Sequence, residues 1–302
     1  MKRNQPNPDG QMKNKFEAGL LISLLILVPC TQGMAQQKEI DEYESSAPLI
    51  KEILYKEIDT LSLHMKLFYP KEFNENKSYP AILFFFGGGW NKRNISQFEP
   101  HAKYFSSRGM ISIIADYRVR DVNGTTPFDA VGDAKSAIRY IRSKAGELQI
   151  NSLKIVASGG SAGGHLAAAT ALIDGLDNTG EDLSVSSKPM ALVLFNPVFD
   201  NGPDGYGYER TGARYKEISP LHNIKMGAPP TIVFLGTNDR PIPVATAEKY
   251  KEKMDSVGSR CDLFIYKDQG HGFFNYRHTE YFNKTVLETD RFLTSLGYLK
   301  KL

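Results

Sequence analysis

The sequence predicts an α/β fold, a single domain on a mostly parallel central sheet of about eight strands with helices on both faces. Three observations predict it. Four short runs, residues 81–86, 110–115, 154–157 and 191–195, are apolar nearly throughout, as strands covered on both faces must be. Helical patterns at 127–145, 164–173, 245–257 and 280–296 fall between such runs, the order that parallel strands joined by crossover helices require. Length and composition agree. The 302 residues, 41% hydrophobic and 24% charged, suit one domain of roughly 250–300 residues and exclude disorder, a collagen-like repeat and a multi-span membrane protein.

Taken in order, the chain opens with Lys2, Arg3, Lys13 and Lys15 ahead of an apolar run from Leu20 to Val28, followed by Gly33 and Ala35. A basic leader, a short apolar stretch and small residues before a cleavage point read as a secretory signal. Residues 1–35 are therefore expected to be a signal peptide cleaved near Ala35, and 36–302 a secreted or periplasmic mature chain. The run falls short of the roughly twenty apolar residues that a membrane span needs, so no stable span is expected. A lipid anchor at Cys30 is the lesser alternative, because Pro29 before it makes a poor lipobox. Cleavage leaves Cys261 as the single thiol, in a strand-like run that reads as core.

Residues 53–58 and 63–69 alternate apolar and polar around Asp59 and Thr60, the pattern of an antiparallel hairpin. The four apolar runs follow, and 231–235 and 262–266 complete the set. The stretch 199–225 breaks the rhythm with Gly202, Pro203, Gly205, Gly207 and Gly212 among Tyr206, Tyr208 and Tyr215. An irregular insertion of that length within a domain is more often functional than not. Lys+Arg 37 against Asp+Glu 34 leave +3 without a basic block, so no nucleic-acid partner is expected.

The strongest chemical signal is Gly159–Gly160–Ser161–Ala162–Gly163, between an apolar strand and the helical run from His165. Small residues on both sides let the chain turn sharply and lift the serine hydroxyl above the sheet, over a helix N-terminus. A serine needs a base, and the base needs an orienting acid. His271, flanked by Gly270 and Gly272 just after the last apolar strand, reads as an accessible base. Asp239, in the turn after 231–235, reads as the acid, ahead of Asp268, which shares a loop with His271 and is expected to face away. A buried strand breaking into Gly87–Gly88–Gly89 supplies backbone donors for a developing oxyanion: Gly88 and Gly89, with Ala162.

With these residues the chain resembles the α/β-hydrolase superfamily over roughly residues 50–298, and most closely the hormone-sensitive-lipase-type esterases. That family's His-Gly-Gly-Gly motif corresponds to Phe86–Gly87–Gly88–Gly89, and Gly-Asp-Ser-Ala-Gly-Gly to Gly159–Gly160–Ser161–Ala162–Gly163–Gly164. Asp116–Tyr117–Arg118 resembles the family's Asp-Tyr-Arg. Phe86 in place of histidine and Gly160 in place of aspartate point toward the secreted bacterial esterases grouped with acetyl-xylan and feruloyl esterases.

The resemblance implies a serine carboxylic-ester hydrolase that removes acetyl or feruloyl groups from a small-molecule or polysaccharide ester. A serine peptidase of the prolyl-oligopeptidase type and a non-catalytic recognition protein on a hydrolase fold are the alternatives. Ala162 beside the serine, the lack of room for a propeller domain and the complete triad argue against them. Trp90, Tyr206, Tyr208, Phe273 and Phe274 lie in loops expected to flank the site, where aromatic faces either stack on sugar rings or simply pack. Arg210 and Arg214 read as solvated charge rather than contacts to an acidic substituent. His101, His165 and His222 have no metal-ligand spacing, and no phosphate loop, dinucleotide fingerprint or metal motif appears, so no metal and no cofactor are expected. The sequence carries no signal for oligomeric state.

Overall fold

A computed structural model describes residues 48–301. The signal segment and Cys30 lie outside them. Strands β1 (Ile50–Ile58) and β2 (Leu61–Phe68) form the expected hairpin. Its turn places Asp59 at φ 52°, a left-handed conformation that aspartate tolerates better than most residues.

Next come β3 (Tyr79–Phe85), α1 (Glu99–Ser107), β4 (Ile111–Ala115), a short α2 (Arg120–Asn123), α3 (Pro127–Ser143), β5 (Ile150–Gly160) and α4 (Ala162–Leu172). The remainder is β6 (Ala191–Phe195), a short α5 (Tyr208–Thr211), β7 (Thr231–Gly236), α6 (Val244–Ser256), β8 (Cys261–Tyr266) and α7 (Thr279–Ser295). The strands form one eight-stranded sheet in the order β1-β2-β4-β3-β5-β6-β7-β8. β1 and β2 are antiparallel to their neighbours, and every pairing from β4 to β8 is parallel.

Every residue of β4, β6 and β7 is buried, which accounts for their unbroken apolar runs. α4 is buried at every position, and its Ala-rich sequence lacks a polar face because none meets water. α3 starts at a capping box, Thr126 with Asp129, followed by Pro127, so its first turn is satisfied by its own side chains.

Two expectations are corrected. Residues 199–225 are not irregular throughout: α5 and two 3₁₀ turns, Gly212–Glu217 and Pro220–His222, occupy much of the stretch. Gly207 and Gly212, at φ 85° and 55°, bracket α5 and keep it to a single turn. α1, absent from the sequence-based set of helices, follows the glycine run and buries His101, Ala102 and Phe105 against the sheet. Among the described residues no helix is long and apolar enough to cross a membrane.

Candidate active site

The parallel arrangement brings the carboxyl ends of β3, β5, β6, β7 and β8 to one edge, where ligands of open α/β sheets bind. β5 runs out at Gly160, and Ser161 turns the chain into α4 at φ 55°, ψ −119°. That conformation is costly for a residue with a Cβ and persists only when its surroundings enforce it. They do so by crowding. A Cβ on Gly163 would lie 2.0 Å from the Phe85 carbonyl oxygen, and one on Gly159 2.4 Å from the Gly163 backbone. At Gly160, where the resembling family carries aspartate, a Cβ would meet the Phe274 ring at 2.5 Å. Phe274 occupies the space that an aspartate would need.

Ser161 Oγ lies 2.9 Å from His271 Nε2. On the other side of the ring, Nδ1 is 2.8 and 3.0 Å from the two carboxylate oxygens of Asp239. The Asp239 side chain has no exposed surface, while His271 keeps 29%. The Ile242 N–H also donates to Asp239 Oδ1, at 2.9 Å, which leaves the carboxylate little freedom to turn. Asp268 is exposed, and only its main chain is engaged, with Asn238 and Thr237. A hydroxyl, an imidazole and a buried carboxylate in series can move a proton off the oxygen while holding one ring tautomer.

Opposite lies the glycine loop. Gly88 and Gly89 have φ of 141° and 62°. A Cβ on Gly88 would strike the Lys92 carbonyl oxygen at 2.3 Å, so only glycine fits. The Gly88 carbonyl accepts from the N–H groups of Asn91 and Lys92, at 3.1 Å each. The N–H groups of Gly88 and Gly89 donate to no protein acceptor among the described residues, and the Ala162 N–H opens α4 without an intrahelical acceptor. All three expected donors are thus without a protein acceptor among the described residues.

Phe86, at the family's histidine position, is fully buried and stacks on Tyr117 with ring centroids 4.1 Å apart. The Tyr117 hydroxyl donates to the Phe86 carbonyl at 2.7 Å. Bracing of the glycine loop comes from two further side chains. Gln97 Oε1 accepts the Gly87 N–H at 2.6 Å, and the Arg210 guanidinium donates to the Gly89 carbonyl. Arg210 also lies over the rings of Trp90 and Tyr206, at 5.1 and 5.3 Å. It is therefore a loop support, not the solvated charge that its sequence context implied.

The aromatic candidates separate. Tyr206 lines the cleft, as does Phe274. Trp90 is 1% exposed, edge-on to His165 at 4.9 Å, and Phe273 is 2% exposed against Tyr266 and Tyr281. Tyr208 packs on Tyr215 and lies outside the cleft lining. Substrate contact is thus withdrawn for Trp90 and Phe273, whose rings are buried in packing, and for Tyr208, half-buried outside the cleft lining.

Three polar residues at the site escaped the sequence reading. Asn196, at the end of β6, is fully buried at φ 34°. Its Oδ1 accepts the Gly272 N–H at 3.0 Å, which orients Nδ2 toward His271 Nε2, 3.4 Å away. Gln97 and Asn275 join across the cleft wall at 2.9 Å, and Asn275 Nδ2 donates to the Gly272 carbonyl at 2.7 Å. A continuous chain of amides therefore links Gly87 in the glycine loop to the histidine loop. Only the position of Asn196 at a strand's carboxyl end offered a sequence signal.

His101 and His165 are packing groups. His101 lies within 4.7–6.1 Å of Phe84, Phe98, Phe195, Phe274 and Phe282, with no partner on either nitrogen among the described residues, and burial pushes it down to about 3. His165 is held by the Ile218 carbonyl at 2.8 Å and is pushed down by burial to about 4. Cys261 is buried as expected, its thiol pushed up to about 12.

The cleft in front of Ser161 and His271 measures about 570 Å³, within the range of small-molecule sites. Residues 65–200 match the BD-FAE family, and 205–295 match the dienelactone hydrolase family. Among solved structures, esterase 2 of Thermogutta terrifontis superposes with a TM-score of 0.81 at 40% identity, covering 86% of this chain and 99% of that one. Structures of that esterase include propionate-bound and butyrate-bound forms and one phosphorylated by paraoxon.

An acetylxylan esterase of Xylanibacter ruminicola is 26% identical over 66% of this chain and 42% of its own length. Endo-1,4-beta-xylanase B of Butyrivibrio fibrisolvens is 26% identical over 57% of this chain and 29% of its own length. The chain thus spans less than half the length of these two curated relatives. An eight-stranded sheet of this order, a serine at a strained strand-to-helix turn, and 40% identity across nearly the whole of a solved esterase agree: the chain belongs to the α/β-hydrolase superfamily, among its carboxylic-ester hydrolases.

Proposed function

We propose that the chain is a serine esterase that removes short acyl groups, acetyl or feruloyl, from carbohydrate. The observation that carries this reading is the unbroken path Ser161 Oγ–His271–Asp239, facing the unengaged N–H groups of the glycine loop. In the proposed reaction, Ser161 Oγ attacks the ester carbonyl as His271 Nε2 takes its proton. The carbonyl oxygen gains negative charge toward the N–H groups of Gly88, Gly89 and Ala162. The protonated imidazole then gives its proton to the departing alcohol, leaving an acyl-serine. Water, deprotonated by the same nitrogen, releases the acid and restores the serine. Asp239 holds the ring with Nδ1 protonated throughout.

The propionate- and butyrate-bound forms of the Thermogutta esterase support a short acyl group. Similarity to an acetylxylan esterase supports a carbohydrate alcohol. Export belongs to the same proposal and rests on the basic and apolar leader ending at Ala35.

Ser161→Ala is expected to lower kcat on p-nitrophenyl acetate by about 10⁴-fold or more; undiminished hydrolysis would remove Ser161 from the mechanism. The substrate class is tested by incubating the protein with acetylated xylan, feruloylated arabinoxylan and a proline-containing peptide anilide. Acetate or ferulate release is expected, and anilide cleavage alone would mark a peptidase.

A further inference from the structure

The charge lining the cleft is one-sided. The described residues lining the cleft include Lys92, Arg93 and Arg277, but neither aspartate nor glutamate. Arg93 is already committed, gripping Asp116 through two bonds at 2.9 and 2.5 Å. Lys92 and Arg277 are exposed and make no carboxylate pair among the described residues. Arg277 Nε is turned to His278 at 3.2 Å, which leaves its two terminal nitrogens as a free fork.

The two cations stand on the two loops that hold the chemistry. Lys92 is tied by its own N–H to the Gly88 carbonyl at 3.1 Å. Arg277 follows Asn275, whose amide is bonded to Gln97 and Gly272. Buried Phe274 lies deep in the cleft beneath Gly160, so an acyl group suits the interior and the alcohol portion extends toward the exposed cations.

We infer that the preferred esters carry a carboxylate on their alcohol portion, as an acylated sugar acid does, held between Lys92 and the Arg277 fork. A guanidinium fork matches a carboxylate in two parallel bonds, and Lys92 adds a point charge. The inference rests on the proposed role of Ser161, since it assumes that the scissile ester sits there.

A matched pair of substrates tests it without any sugar: 4-acetoxybenzoate and its uncharged methyl ester. The quantity read is the ratio of kcat/KM for the charged ester to that for the neutral one. Lys92→Ala with Arg277→Gln is expected to lower this ratio about tenfold, chiefly through KM. Raising salt from about 0.05 to about 0.5 M is expected to lower it in the unsubstituted protein and barely move it in the variant. A ratio that neither salt nor substitution changes would overturn the inference while leaving the esterase reading intact. If neither ester is cleaved, or if cleavage survives Ser161→Ala, the esterase reading fails and the inference falls with it.

Discussion

Gly87 gives its N–H to Gln97 Oε1 at 2.6 Å, and the other end of that amide donates to Asn275 at 2.9 Å. This link braces the glycine loop where the resembling esterases carry a histidine at position 86, and it couples that loop to the one carrying His271. Gln97→Leu removes both bonds. It is expected to lower kcat by about 10–100-fold with little change in KM, because a fraction of an ångström matters more to a transition state than to a bound ester. Gln97→Glu keeps the acceptor for Gly87 but loses the donor to Asn275, and should fall between. Equal losses in kcat and thermal stability for both variants would reduce Gln97 to a packing role. Ser161 and the glycines were legible in the sequence because strained turns and close backbone approaches admit few residue types, and Asp239 and His271 because each closely follows an apolar strand. Gln97, Asn196 and Asn275 were not, since amides occur everywhere and only the fold shows that these three meet. The aromatic loop residues misled for a related reason. Trp90 and Phe273 look the same in sequence whether their surface meets a sugar or Arg210, His165 and Tyr266.

At the scale of elements, Asp133 on α3 joins three parts of the chain. It has no exposed side-chain surface, and it accepts Lys56 of β1 at 2.8 Å and Arg118, after β4, at 2.8 and 2.9 Å. Burial lowers the Lys56 ammonium, and Asp133 acts against that shift. The Asp-Tyr-Arg motif is therefore a brace: Asp116 holds Arg93, Tyr117 holds the Phe86 carbonyl, and Arg118 holds α3. Asp133→Asn leaves two partly buried cations short of a charge and is expected to cost about 3–5 kcal/mol, read as a lower urea midpoint at constant slope. A change below about 0.5 kcal/mol, typical of exposed sites, would contradict it. β4, β6 and β7 were legible to within a residue because burial on both faces demands unbroken apolar runs; β5 was not, running Ile150–Gly160 against an expected 154–157, because Asn151, Ser152 and Lys154 break the apolar run in its less buried first half. α1 was not, although Phe98, Ala102 and Phe105 lie on one helical face and Pro100 opens its first turn. His101 falls on that face, and only the cage of phenylalanines around it makes an imidazole acceptable in the core.

For the molecule as a whole, that imidazole and His165 set a limit on acid stability. Both rings stay neutral in the folded chain down to about 3 and about 4, against an ordinary value of 6.5. Between those values and 6.5 the unfolded chain binds more protons, so stability is full above pH 6.5 and falls on acidification. The loss reaches about 2 kcal/mol per histidine by pH 5. His101→Leu should flatten this limb of a plot of stability against pH, and an unchanged slope would exclude His101 as its source. The central claim remains the identity of the nucleophile. Mass spectrometry of the full chain after incubation with paraoxon, followed by peptide mapping, tests it most directly. One diethylphosphoryl group on the peptide containing Ser161, absent from Ser161→Ala and formed in step with loss of activity, is the expected result. A label on any other residue, or full inactivation with Ser161 unmodified, would contradict the account.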